Sequence, residues 1–151
     1  MLAISQELYW NEQRIQLKYS YSPSKWASAN PAQLGENNVQ RLLKDYNGQS
    51  YWISLSPKSI LKSISIPEWL CFSFGYSIDK RIYGNQNNVV FQNQEYTSNK
   101  EILFSLDIDL SKIKCKNSFI KTILKQLNYL KIPFPTVSFS DNKLDFYPLY
   151  F

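Results

Sequence analysis

The chain contains no histidine, and this absence excludes several kinds of chemistry. A Ser-His-Asp triad, a Cys-His pair and every histidine-ligated metal site need an imidazole that none of the 151 residues supplies. Cysteine is nearly as scarce, since Cys71 and Cys115 are too few for a structural zinc site and their spacing matches no CxxC pattern. A disulfide between them stays open, although two buried free thiols are favoured. The sequence therefore predicts no cofactor and no metal.

Long apolar runs are also missing, and arginine is rare. No run of about 18 apolar residues occurs, so no transmembrane helix is predicted. The opening MLAISQELYWNE lacks a basic leader and carries two glutamates where an apolar core should continue, so no signal peptide is predicted either. The net charge of +5 comes almost wholly from lysine. Because base-specific readout relies on bidentate arginine contacts, we expect no nucleic-acid partner.

The aromatic content of 16% favours pleated, half-buried surfaces, and the length fits a single domain over residues 1–151. Three long runs alternate at the two-residue period of a strand, namely Arg14–Ser22, Trp69–Asp79 and Lys100–Leu110. We predict a mainly antiparallel β fold of about six strands, in a meander or barrel-like sheet, with one C-terminal amphipathic helix. The label α+β is the alternative.

The run Trp69–Asp79 separates large from small side chains most sharply. One face carries Leu70, Phe72, Phe74, Tyr76 and Ile78, and the other carries Cys71, Ser73, Gly75 and Ser77. This pattern and its length of about 11 residues are typical of a strand that crosses a membrane. They are at least as typical of a sandwich strand with one face against the core, so both interpretations stay open.

A turn is predicted at Asn47-Gly48, because asparagine tolerates the left-handed region and glycine enters it freely. A helix could end at Tyr46, with Gly48 near its C′ position. A second turn at Asp141-Asn142 predicts a terminal hairpin. Elsewhere we expect a short helix from Met1 to about Gln13 and loops over 23–38 and 84–99, while 58–66 is ambiguous between strand and loop.

A longer helix is predicted from Asn117 or Ser118 to about Leu130. Its apolar residues fall within an arc of about 140°, with lysines opposite. The helix lies in a stretch from Leu110 to Ser140 that contains six lysines and no acid. Such a segment could lie on an anionic membrane surface or bind nucleic acid. The commoner arrangement, which we favour, is that the apolar arc packs on a sheet.

Asp107 and Asp109 stand two residues apart on one strand face, roughly 6.5–7 Å between Cα atoms. That spacing suits the paired carboxylates of an inverting glycoside hydrolase or an oxygen-rich cation site. No second acid-rich phrase accompanies them. We favour a strand face that is solvated or turned to an interior space.

A second candidate ligand or interaction site surrounds the first turn. Asp45, Tyr46 and Asn47 lie close in sequence to Tyr51 and Trp52, whose rings offer stacking area and a polar tip. The alternative, which we favour, is that the polar residues cap a helix and shape the turn while the aromatic residues enter the core.

Several phrases across nearly the whole chain resemble the C-terminal half of the YfiM-type predicted periplasmic lipoproteins, a family of bacterial envelope proteins. They are Gln6-Glu7-Leu8 with Trp10, Glu12–Leu17, Leu43–Gln49 with Tyr51-Trp52, Pro67 with Trp69-Leu70, Gly75-Tyr76, Ser105–Leu110, Lys131–Pro133 with Pro135, and Tyr150-Phe151. The resemblance implies a location in the periplasm or outer membrane but no activity. The family's amino-terminal helical part, with its signal and lipid-bearing cysteine, has no counterpart here. We therefore expect this chain to be the C-terminal part of a longer or split protein.

Taken together, these features predict a non-catalytic structural or interaction module of a Gram-negative cell envelope. Its partner would be an envelope protein or a membrane surface, contacted through exposed strand edges or an aromatic face. One alternative is a small hydrolase or carbohydrate-binding module that uses the paired carboxylates. Another is a soluble cytoplasmic domain.

Overall fold

A computed structural model describes residue 6 and residues 13–63, 65–82, 88–91 and 94–151. Most of the short helix predicted over Met1–Gln13 lies outside these residues. In the described part, six antiparallel strands form one sheet in the order β1-β2-β3-β6-β7-β8. The prediction of a mainly antiparallel β fold in a meander is confirmed. A separate hairpin, β4-β5, is inserted between β3 and β6.

The strands of the large sheet are β1 (Ile15–Tyr21), β2 (Gln49–Leu55), β3 (Leu70–Asp79), β6 (Asn99–Ile108), β7 (Phe134–Ser140) and β8 (Lys143–Tyr150), and the small hairpin pairs β4 (Asn88–Phe91) with β5 (Gln94–Thr97). The helices are α1 (Lys25–Ala29), α2 (Pro31–Leu34), α3 (Asn38–Lys44), α4 (Pro57–Ile60) and α5 (Ser118–Leu127), with a 3-10 turn at Leu110–Lys112. The loop predicted over 23–38 thus contains two short helices, and the ambiguous segment 58–66 begins within α4.

The sheet curls until its two ends approach each other. Tyr150 on β8 lies 3.3 Å, oxygen to oxygen, from Ser50 on β2, and its ring meets that of Trp52 edge-on. At Tyr19 the free edge of β1 pairs with the segment after α5, because Tyr19 N donates to Tyr129 O and Lys131 N donates to Tyr19 O. One sheet face is therefore concave and enclosed, and the other is convex.

The enclosed face is polar and the convex face is apolar, which is the reverse of the usual arrangement in a sheet of a water-soluble protein. A cross-strand row of the enclosed face is entirely polar and at most 9% exposed, and consists of Gln16, Ser54, Ser73, Ser105 and Thr136. A neighbouring row of the convex face is entirely apolar and at least 38% exposed, and consists of Leu17, Ile53, Phe74, Phe104, Val137 and Phe146. The large side chains of β3 therefore point outwards rather than against a core.

Few apolar side chains fill the interior. Trp52 and Leu103 are the large ones that the strands of the main sheet bury, and Leu34 and Ile82 are buried outside it. Trp52 fits because its register partner on β3 is Gly75, so that its ring lies where a side chain would otherwise stand. Small serines occupy most other inward positions of the strands.

Gly75→Ala is expected to destabilise the fold by about 1–3 kcal/mol, since overpacking an enclosed site forces side chains from their rotamers. A Cβ at this position would lie 2.5–2.8 Å from three ring atoms of Trp52. Urea denaturation of Gly75→Ala and of Ser73→Ala, a variant at a neighbouring small inward residue, measures the difference in their free energies of unfolding. Equal midpoints for Gly75→Ala and the wild type would contradict this account of Trp52 packing.

The turns follow the sequence in part. Asp141 and Asn142 both have positive φ, 49° and 60°, so the terminal hairpin predicted around them is confirmed. Gly48 was predicted as a left-handed C′ residue, and this is wrong, because Gly35 is the glycine with positive φ among the described residues. Gly48 is needed for space instead, since a Cβ there would collide with Ser22 O.

The expected packing of α5 is also wrong. The helix begins as predicted, with Asn117 Oδ1 accepting from Phe119 N at 2.9 Å, and it ends at Leu127, three residues early. None of its residues is buried, so its apolar arc does not pack on the sheet.

Candidate functional site

The enclosed face contains an ionic cluster built on Asp107. Lys18 Nζ lies 2.8 Å from Asp107 Oδ2, and both side chains are 0% exposed. Lys18 Nζ also donates to Ile108 O at 2.8 Å, and Ser54 Oγ donates to the same carboxylate oxygen at 2.6 Å. A buried charge is tolerated when it is paired and hydrogen-bonded, and these contacts meet that condition for one carboxylate oxygen.

Lys131 is the second cation of the cluster. Its Nζ lies 3.9 Å from Asp107 Oδ1 and donates to Leu106 O at 2.8 Å and Ile132 O at 2.9 Å. The same ammonium lies 5.0 Å from the centre of the Trp52 ring, within reach of a cation–π contact. Burial lowers the pKa of Lys131 from 10.5 to about 8, and the nearby Asp107 carboxylate opposes that shift.

Asp109 has a separate set of partners. Gln16 Nε2 donates to Oδ2 at 2.6 Å, while Ser111 Oγ at 2.6 Å and Asn128 Nδ2 at 3.1 Å donate to Oδ1. Ser111 N also donates to Oδ1, so Asp109 caps the 3-10 turn. Through these contacts it links β1, the end of β6 and the end of α5. Asp109 therefore holds these three parts of the chain together.

The two candidate aspartates share a face as predicted, but neither is solvated. Both are fully buried, and no hydrogen-bond donor or cation described above contacts both carboxylates. In addition, the described residues contain no group of three or more Asp, Glu or Cys that could hold a metal ion. The arrangement favours charge neutralisation inside the sheet over acid–base chemistry on a substrate.

The second candidate group, around Asn47-Gly48, is not brought together as one patch. Asp45 is fully buried, where Ser24 N and Oγ donate to its carboxylate at 2.8 and 2.7 Å. Trp52 points inwards and donates to Ser20 Oγ at 2.9 Å. Tyr46 and Tyr51 are exposed.

Asn47 has a structural partner of its own. Its amide Nδ2 donates to Arg81 O at 2.7 Å, and its Oδ1 accepts from Arg81 N. The side chain thereby fastens the turn before β2 to the segment after β3. The favoured interpretation holds in part. The turn is present, since Gly48 N donates to Asp45 O, but the side chains of Asp45 and Asn47 bind Ser24 and Arg81 rather than a helix end. Of the three aromatic residues in the group, Trp52 is the one that enters the core.

Both cysteines are free thiols. Cys71 is buried as expected, and burial raises the pKa of its thiol to about 12, with a further contribution from the Asp109 carboxylate. Cys115 is partly exposed. Because the thiolate is the reactive form, Cys71 is an inert interior residue.

Sequence reasoning did not select Lys18 and Lys131 as partners of Asp107. The signal for Lys18 was its place on the small, polar side of the Arg14–Ser22 alternation, opposite the apolar residues. Lys131 gave no comparable signal, because it lies in an irregular segment before two prolines. Only the curl of the sheet brings it to the interior.

The convex apolar face has no role in the sites described so far. We call it the outer face and define it by the row from Leu17 to Phe146 and its apolar neighbours on β1–β3 and β6–β8. Phe74 and Phe104 form an edge-on pair at 5.3 Å between ring centres. At one end of β1 and β2, the exposed Tyr51 lies beside Tyr19, 5.6 Å between ring centres. At the other end of the strands, Trp69 precedes β3 and is exposed.

The described helices are all too short or too polar to cross a membrane. No protein-family model, curated protein or solved structure matches this chain. The fold and the two sheet faces are therefore the basis on which a function can be proposed.

Proposed function

We propose that this chain is a non-catalytic structural or interaction module of a Gram-negative cell envelope, and that its outer face contacts lipid acyl chains. The observation that carries the proposal is the cross-strand row of six exposed apolar residues on that face, opposite a buried row of polar ones. Exposed apolar surface of this extent marks a site of interaction. The envelope location is supported by the resemblance to the YfiM-type family.

The shape of the outer face favours acyl chains over a single flat partner. The face is convex and extends over all six strands of the curled sheet. A rigid protein surface would cover only part of such a curve, whereas fluid acyl chains adapt to it. From Trp69, just before β3, to Tyr76 the apolar band covers eight residues, and the seven steps between the two ends amount to about 23 Å at the rise of a strand. That is close to the roughly 25 Å apolar band of sheets embedded in lipid.

The interior fits the same environment. Each described strand of the main sheet hydrogen-bonds to its neighbours, and on the edge strand β1 the backbone of Tyr19 bonds to Tyr129 and Lys131. The charged Lys18 and Asp107 neutralise each other inside rather than facing outwards. Strand pairing and inward-facing charges are both favoured where an apolar solvent surrounds a chain.

We expect the purified chain to bind vesicles of neutral phosphatidylcholine, and the triple variant Ile53→Ser, Phe74→Ser, Phe104→Ser to bind at least tenfold more weakly. The three side chains lie next to one another in the exposed row, so the variant removes its centre without altering the interior. Flotation of the protein with vesicles through a density gradient measures binding.

The matched control replaces three exposed apolar residues away from the sheet, Val39→Ser, Leu43→Ser and Ile60→Ser. It should float as the wild type does. Equal flotation of the sheet variant and the wild type would overturn the acyl-chain contact, as would a soluble dimer that ignores vesicles. Recovery of the chain in the cytosol of fractionated cells would overturn the envelope location.

A further inference from the structure

Helix α5 is amphipathic yet buries none of its residues. Phe119 is 72% exposed, and Ile120, Ile123 and Leu127 are exposed beside it. An amphipathic helix in a folded protein ordinarily places its apolar stripe on the core. An uncovered stripe on such a helix needs another apolar environment.

Polar contacts at the carboxyl end, rather than apolar packing, hold α5 in place. Asn128, just after the helix, is buried and donates to Gln16 Oε1 and Asp109 Oδ1 at 3.1 Å each. Its Oδ1 accepts from Leu110 N at 2.9 Å. Hydrogen bonds therefore fix the carboxyl end of α5, while both its apolar and its basic face remain exposed.

The segment leading into α5 is strongly basic. A cleft of about 450 Å³ is lined by Ser111, Lys112, Ile113, Lys114, Cys115, Lys116 and Lys121. Lys112 is engaged, because its Nζ donates to Ser59 Oγ at 2.6 Å and Ser56 Oγ at 3.1 Å. Lys114, Lys116 and Lys121 are exposed, and within the described part of the chain none of the three forms an ion pair.

The basic segment is continuous with the outer face. A neighbouring cleft of about 720 Å³ has Trp69 and Ile108 at the end of that face, and its charged lining residues are three lysines and one acid, namely Lys58, Lys112, Lys114 and Glu68. Moving outwards from the sheet, the surface changes from apolar to an exposed tryptophan and then to lysines. This is the order in which a bilayer presents its hydrocarbon, its interface and its anionic head groups.

We propose that Lys114, Lys116 and Lys121 bind the phosphate-bearing head groups of anionic phospholipids while the apolar arc of α5 lies in the acyl boundary. The inference rests on the proposed function, since it adds a head-group site to the same membrane contact. Charge complementarity selects the partner: three exposed cations stand in a stretch that has no acid from Leu110 to Ser140. Each lysine near an anionic membrane strengthens binding by roughly fivefold.

Binding to vesicles of equal parts phosphatidylcholine and phosphatidylglycerol tests the site. We expect the triple variant Lys114→Gln, Lys116→Gln, Lys121→Gln to lose on the order of a hundredfold in affinity for these vesicles, since the contributions of three lysines multiply. Its binding to pure phosphatidylcholine should match that of the wild type. Added salt should weaken the wild type on the mixed vesicles and leave the variant nearly unchanged.

The matched control removes three exposed lysines elsewhere, Lys44→Gln, Lys62→Gln and Lys143→Gln, so the net charge falls equally. It should retain most of the affinity for mixed vesicles. Equal losses in both variants would reduce the effect to net charge and overturn the site. Full binding by the first variant would also overturn it, as would a tighter affinity of the wild type for a short DNA or RNA strand.

The position of α5 has a separate readout. In Phe119→Trp the new indole should shift its emission to shorter wavelength on mixed vesicles, because it enters the acyl boundary. Unchanged emission with retained binding would overturn the placement of the helix. The outcomes separate the two proposals. If the wild type binds mixed vesicles but not neutral ones, the acyl-chain contact of the outer face is overturned. If the lysine variant binds mixed vesicles as tightly as the wild type does, the head-group site is overturned.

Discussion

Asp107→Asn is expected to destabilise the fold by about 3–5 kcal/mol, because it leaves the buried Lys18 ammonium without its counter-charge. Lys18 and Asp107 are in direct contact at 2.8 Å with no exposure to water. The loss extends to Lys131, whose protonated form the same carboxylate supports. Since a domain of this kind is stable by about 5–15 kcal/mol, the variant removes a large share.

Urea denaturation in a mild neutral detergent measures this effect, and Asp145→Asn is the matched control. Asp145 lies on β8 but is exposed, so the same chemical change there should shift the free energy of unfolding by less than about 0.5 kcal/mol. Adding Lys18→Met to Asp107→Asn should recover part of the loss, because it removes the unpaired charge. A stability of Asp107→Asn equal to that of Asp145→Asn would contradict the buried cluster.

Trp52→Ala is expected to cost about 3–5 kcal/mol, the usual range for removing a large aromatic residue from an interior. Trp52 is 2% exposed and is the main apolar mass on the enclosed face. Its ring fills the space opposite Gly75, meets Tyr150 edge-on at 5.9 Å between ring centres, and faces the Lys131 ammonium. Truncation would leave a cavity among groups that are mostly polar.

Phe74→Ala provides the comparison for Trp52→Ala. Phe74 lies one row away on β3 but on the outer face, where it is exposed, so its loss in buffer should cost less than about 1 kcal/mol. In detergent or lipid its contribution should rise. If Trp52→Ala and Phe74→Ala destabilised the chain equally in buffer, the assignment of enclosed and outer faces would be wrong.

The strands and their faces could be predicted from the sequence because the two-residue period is a local property. The alternation along β1, β3 and β6 identified which residues share a face before any contact was known. The turn at Asp141-Asn142 was equally local, since both residues tolerate positive φ. The start of α5 at the Asn117 cap was set by a short-range hydrogen bond.

Long-range contacts decided the remainder. The ionic cluster could not be predicted because Asp107 is far from Lys18 and Lys131 in the sequence. The close spacing of Asp107 and Asp109 suggested that the two carboxylates act together, but each has its own set of partners. The sequence suggested that Gly48 is needed for a positive φ, but in the structure it is needed because a larger side chain would collide with Ser22 O. In each case a deciding neighbour lies far away in the sequence.

By itself the sequence determined that large and small side chains occupy opposite faces of a mainly antiparallel sheet. It could not say which face is enclosed, since alternation is the same whether the large residues point inwards or outwards. The tertiary structure decided this through the curl of the sheet, which places Tyr150 against Trp52 and leaves room inside for serines, one tryptophan and a neutralised ion pair. The bulky residues are then left on the convex side because the narrow interior cannot hold them.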